Sequence, residues 1–300
     1  MNPTLIGMLA VFVWGASLPI NRLIQEQIGL LASVGIIFTG AALLSLLWQC
    51  LRKTPWPDKA IFSNPLLYVR WICFVLHEAL ILSAISIVQR QHMPFVILLN
   101  YLWPTAIIVF SVLIAGVKIS RPWAFLLGSL VVIGSLALEI VDPQAISTQI
   151  FASKTDCLAY VFAVVGAISW GLYCAFTRRS GESTGGGTVV PFFQLTFGLA
   201  LIPCFLPSYS VPWTLSTLGA IFLLGYSFLQ FVAYLAWDFG MRKGNVVLLS
   251  LGADFIPWLS LASATFIIEV SISTITCISA ATLVAGAMIT RYGTLQKRTI

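Results

Sequence analysis

The sequence predicts an all-α polytopic membrane protein in which ten transmembrane helices form two inverted five-helix repeats around a central cavity. Three observations predict this fold: the composition, the lengths of the apolar stretches and a pair of prolines at matching places. Of the 300 residues, 59% are hydrophobic and only 9% are charged, and the mean hydropathy is +0.98. A soluble domain cannot bury so much apolar surface, so a lipid bilayer is the predicted surrounding of the chain.

Each predicted helix is a stretch of about 20 predominantly apolar residues, the length needed to cross a bilayer. The first has no Lys or Arg before its apolar core and no small-residue cleavage site, so we expect a retained helix rather than a signal peptide. The connections are too short to hold a separate soluble domain. In chain order the predicted spans are 4–21, 31–51, 68–88, 93–114, 121–141, 155–178, 187–208, 214–236, 245–267 and 272–291.

Two prolines interrupt spans at matching places. Pro104 in the fourth span and Pro257 in the ninth are 153 positions apart, about half the chain. A proline inside a helix removes one backbone donor and frees the carbonyl group four residues earlier. In a bilayer that carbonyl must face protein or a water-filled cavity. The two prolines are therefore predicted to be helix hinges beside a substrate site.

Other residues recur between the halves. Trp14 recurs 156 positions later as Trp170, and Arg22 recurs as Arg178. Five is an odd number of crossings, so the second repeat is expected to enter the membrane from the opposite face. Such inverted repeats share a cavity near the midplane and support alternating access. The predicted repeats are 1–142, holding the first five helices, and 143–300, holding the last five.

The positive charges segregate across the predicted membrane. The net charge is +6, and thirteen Lys and Arg residues fall on the side that holds both termini. Only Arg22, Arg90 and Lys154 fall on the opposite side. Cationic loops stay in the cytoplasm, so both termini are predicted to be cytoplasmic. Because this segregation accounts for the charge, the expected surroundings are a lipid bilayer and no nucleic acid.

No metal or cofactor is predicted. The six cysteines lie in or at the ends of apolar spans, without CxxC or other metal-ligand spacing. They are expected to pack as small apolar side chains.

Polar and aromatic side chains form stripes on six of the predicted helices, the first, third, fourth, sixth, eighth and ninth. On the first helix, Trp14, Ser17 and Asn21 stand at i, i+3 and i+7, and therefore on one face. The other five helices carry comparable stripes. The predicted cavity residues are Trp14, Ser17, His77, Glu78, Asn100, Tyr101, Trp103, Trp170, Tyr173, Tyr234, Trp237, Asp254 and Trp258.

His77, Glu78 and Asp254 are the ionisable residues nearest the middle of the predicted spans. A charge there costs about 2.5–3.5 kcal/mol on insertion scales, so a functional role is the first hypothesis. The alternative is that Glu78 is protonated, or paired with His77, and only stabilises packing. A carboxylate that changes protonation could carry proton coupling, although no proton relay chain is evident.

The predicted lining favours a particular kind of solute. Aromatic walls with a few polar groups suit an amphipathic molecule. No cluster of Lys or Arg faces inward, which disfavours a sugar phosphate or a nucleotide.

Ten helices in two inverted repeats, with prolines in the fourth and ninth, resemble the drug/metabolite transporter superfamily of the EamA type. Within it, the segment 100–104 (Asn-Tyr-Leu-Trp-Pro) resembles a signature of bacterial aromatic amino acid exporters. The resemblance spans essentially the whole chain. Glu78, Trp170, and Tyr234 with Trp237 are further similarities. His77 and Asp254 depart from the pattern, since these exporters carry aromatic residues at both positions.

The resemblance implies a carrier in the bacterial inner membrane that exports amino acids such as Phe, Trp and Tyr. We therefore predict export of aromatic and other neutral amino acids by alternating access. A related carrier for other amphipathic metabolites or drugs is the alternative, because the two departures alter the cavity. Ten helices can enclose a pathway alone, so the chain is expected to function as a monomer. Uniport, proton antiport and exchange all stay open.

Two other function classes fit the sequence less well. An intramembrane enzyme could use His77 and Glu78 as an acid–base pair, but adjacent residues on a helix point about 100° apart. No HExxH or GxSxG motif is present. A channel would need a charged ring or a carbonyl-rich filter, and neither is evident. The chain is therefore predicted not to be an enzyme.

Overall fold

The computed structural model describes residues 2–141, 151, 153–201 and 214–294. This part of the chain is helical and contains no β-strand, which confirms the predicted all-α class. The helices of the first half are α1 (Pro3–Gly15), α2 (Ser17–Ile28), α3 (Leu30–Leu51), α4 (Pro65–Ile87), α5 (Met93–Asn100), α6 (Trp103–Leu113) and α7 (Pro122–Val141). Those of the second half are α8 (Lys154–Ser180), α9 (Val190–Ala200), α10 (Thr217–Lys243), α11 (Val246–Ala253), α12 (Ile256–Ile267) and α13 (Thr274–Tyr292).

Side-chain caps fix where several helices begin. Asn2 accepts a hydrogen bond from the Thr4 amide at 3.0 Å, and Asn64 caps the start of α4 in the same way. Ser216 and Ser273 cap α10 and α13. These short polar side chains satisfy amide groups that have no partner inside the helix.

Eight helices, counted with α5–α6 and α11–α12 as one span each, are long and apolar enough to cross a bilayer. The α1–α2 pair, bent by 43°, makes a ninth. The predicted span 187–208 is represented by the shorter helix α9, and residues 202–208 lie outside the described part. The predicted count of ten is therefore not confirmed. The predicted repeat boundary at 142 and 143 also lies outside the described residues.

Two of these spans break at related positions. Helix α5 ends at Asn100 and α6 begins at Trp103, while α11 ends at Ala253 and α12 begins at Ile256. The last residues before the two breaks are 153 positions apart, and so are the first residues after them. Each proline lies in the first turn of the second helix, where a missing amide donor costs nothing.

A third break, between α1 and α2, was not predicted. Its physical cause is Pro19, whose ring nitrogen cannot donate to the carbonyl of Gly15. That carbonyl instead accepts a hydrogen bond from the Ser260 hydroxyl at 2.7 Å. The residue 156 positions after Pro19 is Ala175, and there α8 runs unbroken for 27 residues.

The helix termini gather at two ends of the bundle. We call the end that holds Thr4 and Asn245 the terminal end, and the end that holds Gln89 and Asp156 the far end. At the terminal end, the Asn245 amide donates to the Thr4 hydroxyl at 2.9 Å. At the far end, the Gln89 amide donates to the Asp156 carboxylate at 2.9 Å. The two amides are 156 positions apart in the sequence, so similar contacts begin α11 and the segment that leads to α5.

An arginine cap also occurs at both ends. At the far end, Arg22 donates to the carbonyl groups of Ile85, Ser86 and Val88, at the end of α4. At the terminal end, Arg178 donates to carbonyl groups at the end of α10. Its acceptors are those of Met241, Arg242 and Gly244. Every member of the second set is 156 positions after its counterpart in the first.

The packing separates central helices from peripheral ones. Helix α4 packs against α8, and α1 packs against α10, while α3 contacts both α9 and α10. Helices α7 and α13 pack mainly against each other, with Gly128 directly against the backbone of Gly286 and Thr290. The absence of a side chain at Gly128 lets these two helices approach closely. Of these packed helices, α1, α4, α8 and α10 carry polar stripes.

Candidate functional site

The polar stripes of the central helices meet around an internal cavity. It leaves about 50 Å³ for the centres of water-sized spheres, which is room for a few waters rather than for a drug-sized molecule. Its lining residues are Trp14, Ser17, Leu18, Asn21, His77, Glu78, Ile81, Leu82, Asn100, Tyr101, Trp103, Trp170, Tyr226, Gln230, Tyr234 and Ile256.

A buried carboxylate lies in this lining. Glu78 of α4 is 4% exposed, and it accepts a hydrogen bond on Oε1 from the hydroxyl of Tyr234 of α10. His77 lies beside it, with Nε2 3.8 Å from Glu78 Oε1. The other ring nitrogen of His77 is 2.9 Å from the carbonyl oxygen of Gly166. A carbonyl can only accept, so Nδ1 carries the proton in this contact.

Trp14 connects the aromatic side chains of the cavity. Its ring packs edge-on against Trp170 and Trp237, with centroids 5.4 Å and 5.2 Å away. The Trp14 Nε1 group donates to Gln230 Oε1 at 3.1 Å. His77 in turn packs against Trp170, with ring centroids 4.8 Å apart. The wall therefore presents aromatic faces, and the polar edge of Trp14 is already hydrogen-bonded.

The break between α5 and α6 supplies another wall. Asn100, Tyr101 and Trp103 all line the cavity. The Tyr101 hydroxyl lies 2.6 Å from Ser260 Oγ, the hydroxyl that also caps the carbonyl of Gly15. One serine therefore joins the breaks of two different spans through hydrogen bonds.

Two predicted cavity residues lie one layer behind the lining. Tyr173 stacks on Trp170, with ring centroids 4.9 Å apart, and is fully buried. Trp237 is also buried, and its Nε1 group donates to Cys174 Sγ at 3.3 Å. Both support the aromatic rings that line the cavity.

The last two predicted residues lie elsewhere. Asp254 forms a buried ion pair with Arg291 of α13. Trp258 is 39% exposed and lies in an outer groove between α1 and α11–α12, beside Phe12. Ile256 lines the cavity, and residues two apart on a helix point about 200° away from each other, so Trp258 faces outward.

The cavity also contains residues outside the predicted set. Asn21 and Gln230 stand in the polar stripes, and their spacing was the signal available. Tyr226 follows the same face of α10, eight residues before Tyr234. The remaining four are Leu18, Ile81, Leu82 and Ile256, and nothing in an apolar span marks one leucine or isoleucine as cavity-lining.

A network of ion pairs lies at the terminal end of the bundle. Arg70 of α4 is fully buried and donates to Asp238 of α10 at 3.2 Å. Asp238 also accepts from Arg242 at 2.6 Å, and Arg242 donates to Glu182 at 2.5 Å. Arg70 further donates to the Thr184 hydroxyl at 2.6 Å. The network joins α4, α10 and the connection between α8 and α9.

Within the described residues, no group of three or more His, Cys, Asp or Glu side chains could hold a metal ion. The cavity lining offers hydrogen-bonding groups, one carboxylate and aromatic faces for binding.

Known proteins resemble this chain over most of its length. The aromatic amino acid exporter YddG of Salmonella typhimurium (strain 14028s / SGSC 2262) is 26% identical over 278 residues, 90% of both chains. The aromatic amino acid exporter YddG of Escherichia coli (strain K12) is 26% identical over 282 residues, also 90% of both chains. The pseudopaline exporter CntI of Pseudomonas aeruginosa (strain UCBPP-PA14) is 26% identical over 245 residues, which is 81% of this chain and 80% of the relative.

The fold is shared with a protein of known crystal structure. The two superimpose with a TM-score of 0.70 at 20% identity, covering 96% of this chain and 95% of the other. No protein-family model matches the chain. The relatives and the apolar helices together support a multi-pass bacterial membrane protein that exports a small molecule. The named relatives are members of the drug/metabolite transporter superfamily, so the resemblance seen in the sequence is confirmed and the chain is a homologue of its bacterial exporters.

Proposed function

We propose that this protein exports aromatic and other neutral amino acids by alternating access. The observation that carries the proposal is a cavity, lined by helices of both halves, with aromatic walls and a single carboxylate. Such a lining matches a solute that has an apolar ring and a small polar head. The names of two relatives at 26% identity point to the same solute class.

The proposed architecture consists of two inverted repeats, residues 1–142 and 143–300. Two features support it. The paired helix breaks are 153 positions apart, and the arginine caps of Arg22 and Arg178 are 156 positions apart. In this proposal, Pro104 and Pro257 are the hinges at which the halves change conformation.

The proposed setting is the bacterial inner membrane with both termini in the cytoplasm, from the excess of Lys and Arg on the terminal side. In that orientation, the ion pair between Arg70 and Asp238 closes the cytoplasmic end. Opening toward the cytoplasm must then break this pair, so it contributes to the choice of conformation. The carrier is proposed to act as a monomer, since the cavity is enclosed by one chain.

The alternative is a carrier of the same superfamily for other amphipathic metabolites. The specific observation in its favour is the pseudopaline exporter, whose identity to this chain is also 26%. His77, which departs from the exporter pattern, lines the cavity and makes it more polar.

The test is counterflow in liposomes that contain the purified protein. Vesicles are loaded with one unlabelled amino acid, and entry of labelled phenylalanine is followed. We expect Phe, Trp and Tyr in the lumen to drive saturable entry, and Asp and Glu to have no effect. The amino acid proposal fails if none of the twenty amino acids raises entry above that of protein-free vesicles.

The matched control replaces a carboxylate that is remote from the cavity. Glu269→Gln alters an exposed side chain that does not line it, so counterflow should equal that of the native chain. Glu78→Gln removes the cavity carboxylate with the same change of shape and charge, and counterflow should fall. Repeating both measurements with and without a pH gradient separates proton antiport from uniport and exchange.

A further inference from the structure

Several polar side chains of the cavity offer hydrogen-bond acceptors. Asn21 donates through Nδ2 to the Ser17 carbonyl at 2.9 Å, which fixes the orientation of its amide. The Oδ1 atom of Asn21 is then a buried acceptor with no hydrogen-bond partner in the described structure. An unpaired buried acceptor is costly, and a solute that donates to it recovers the lost hydrogen bond.

His77 adds a second acceptor. Its Nδ1–H donates to the Gly166 carbonyl, so in the neutral ring Nε2 carries a lone pair. That atom is on the side of Glu78, 3.8 Å from Oε1. Glu78 uses Oε1 to accept from Tyr234 and retains its full capacity at Oε2. Three groups of the same lining thus offer acceptors for N–H or O–H donors.

Positive charge is absent from the same lining. None of the described residues around the cavity is Lys or Arg. Two deeply buried guanidinium groups lie elsewhere among the described residues, and each has its own carboxylate: Arg70 pairs with Asp238, and Arg291 pairs with Asp254. A buried charge is stable only when it is paired. Glu78 can therefore balance a cation on the solute, whereas a solute carboxylate finds no cationic partner there.

The aromatic rings of the lining also favour a positive charge on the solute. The faces of Trp14, Trp170 and Tyr234 surround the polar groups. The electron-rich face of such a ring attracts an ammonium group, most strongly when water is excluded.

We propose that the cavity selects its solute by an ammonium group bound at Glu78 and Asn21, and that it therefore accepts aromatic monoamines without a carboxylate. The inference rests on the proposed transport site and extends its substrate class from amino acids to primary aromatic amines. A deaminated acid of the same size is excluded, because its charge is left unpaired in the cavity.

The test compares three ligands that share a phenyl ring and a short side chain: phenylalanine, 2-phenylethylamine and 3-phenylpropionate. Binding to the purified protein in detergent is measured by isothermal titration calorimetry, which avoids leakage of the free amine through lipid. We expect 2-phenylethylamine to bind at least as tightly as phenylalanine. We expect 3-phenylpropionate to bind at least about tenfold more weakly, as for loss of a charge-assisted hydrogen bond.

Variants then locate the ammonium site. Glu78→Gln should weaken binding of 2-phenylethylamine by about tenfold or more, and Asn21→Leu by a smaller factor. Glu269→Gln, outside the cavity, should leave it unchanged. The ligand series on the native chain needs no variant, so misfolding of Glu78→Gln would not decide the outcome.

Several results would overturn the inference: no binding of 2-phenylethylamine, binding of 3-phenylpropionate as tight as that of the amine, or amine binding unchanged in folded Glu78→Gln. The transport proposal fails separately. If amino acids show no counterflow but the amine binds through Glu78, the ammonium site stands and the amino acid function is wrong. If phenylalanine is transported and the acid binds as well as the amine, the amino acid function stands and the ammonium site is wrong.

Discussion

Arg70 and Asp238 form a fully buried ion pair that joins α4 to α10 at the terminal end of the bundle. Their side chains are 0% and 1% exposed, and Nη2 lies 3.2 Å from Oδ1. The residue 156 positions after Arg70 is Tyr226, and the residue 156 positions before Asp238 is Leu82. Both of these line the cavity. Positions related by this offset thus carry an ion pair at the terminal end and neutral side chains in the cavity lining.

The two members of this pair should differ in their contribution to stability. Asp238 also pairs with Arg242, whereas Asp238 is the only carboxylate paired with Arg70 among the described residues. Asp238→Leu therefore leaves a guanidinium buried and unpaired, and should lower the free energy of unfolding by about 3–5 kcal/mol. Arg70→Met leaves Asp238 paired and should cost clearly less. Denaturant unfolding in mixed micelles measures both.

The double variant Arg70→Met, Asp238→Leu is the control, because it removes both charges from the interior. It should be more stable than Asp238→Leu alone. Equal losses in the two single variants would contradict the assigned pairing.

Weakening the same pair should also open the terminal end. Cys174 is buried below the network and accepts from Trp237. In a chain whose other cysteines are replaced by alanine, Arg70→Met should raise the rate at which Cys174 reacts with a polar maleimide. Lowering the stability of the closed state relative to the open state by about 1.4 kcal/mol corresponds to a tenfold increase in the labelling rate. Labelling is followed by mass spectrometry.

An exposed arginine provides the comparison. Arg52 lies at the end of α3 and contacts Trp48 on the surface, so Arg52→Met should leave the reaction of Cys174 unchanged. A rate that does not respond to Arg70→Met would mean that the ion pair does not hold this end closed.

The sequence was sufficient to predict the helices that bear the cavity and most of the lining. Nine of the thirteen predicted residues surround it, because helical spacing determines which side chains share a face. Two of the four misplaced residues lie at or after the break between α11 and α12, where spacing alone did not determine the direction of the side chains. Asp254 lies in that break and pairs with Arg291, while Trp258 follows it and faces the outer surface.

The ion pairs could not be predicted for a different reason. Arg70 and Arg291 lie near span ends, where a positive charge is ordinarily explained by the cytoplasmic loops. Their long side chains turn inward to carboxylates on other helices. Pairing between helices depends on tertiary contacts, which one sequence without related sequences does not reveal. The bend at Pro19 was in principle predictable, since proline in a span removes a donor.

Ser260 should stabilise the bend of the first span. Its hydroxyl donates to the Gly15 carbonyl that Pro19 leaves without a partner, and it also contacts Tyr101. Ser260→Ala should lower the free energy of unfolding by about 1–3 kcal/mol, because a buried carbonyl loses its donor. Ser263→Ala, one turn later, removes only a bond to its own helix and should cost less. Denaturant unfolding in micelles compares the two.

A double-mutant cycle tests the assigned cause. Pro19→Ala restores an amide that can donate to Gly15, so Ser260→Ala should cost less in the Pro19→Ala chain than in the native chain. Strictly additive losses of stability would mean that the Ser260 hydroxyl does not compensate for the donor missing at Pro19.

Gly171 lets α8 pack tightly against α6. A Cβ atom on Gly171 would lie 2.6 Å from the Cβ of Ala106, closer than two carbon atoms can approach. Gly171→Ala should therefore lower the free energy of unfolding by about 1–3 kcal/mol. Gly225 in α10 has open space at the same atom, so Gly225→Ala should instead stabilise the helix by about 0.5–1 kcal/mol. Opposite shifts in the denaturant midpoint are expected.

Adding Ala106→Gly to Gly171→Ala removes the closest contact of the new methyl group but leaves the backbone carbonyl carbon of residue 106 at 2.9 Å. The pair should recover part of the stability lost in Gly171→Ala, and no recovery would assign the loss to the backbone contact.

Tyr234 should set the affinity of the cavity by holding Glu78. Its hydroxyl is the only side-chain donor to that carboxylate among the described hydrogen bonds. Tyr234→Phe keeps the ring and removes the donor, so we expect the apparent affinity for phenylalanine in counterflow to fall by about tenfold, as for a hydrogen bond to a charged group. Tyr68→Phe is the matched change, because the Tyr68 hydroxyl donates to the Phe62 carbonyl outside the cavity. An affinity in Tyr234→Phe equal to that in Tyr68→Phe would mean that the orientation of Glu78 does not govern solute binding.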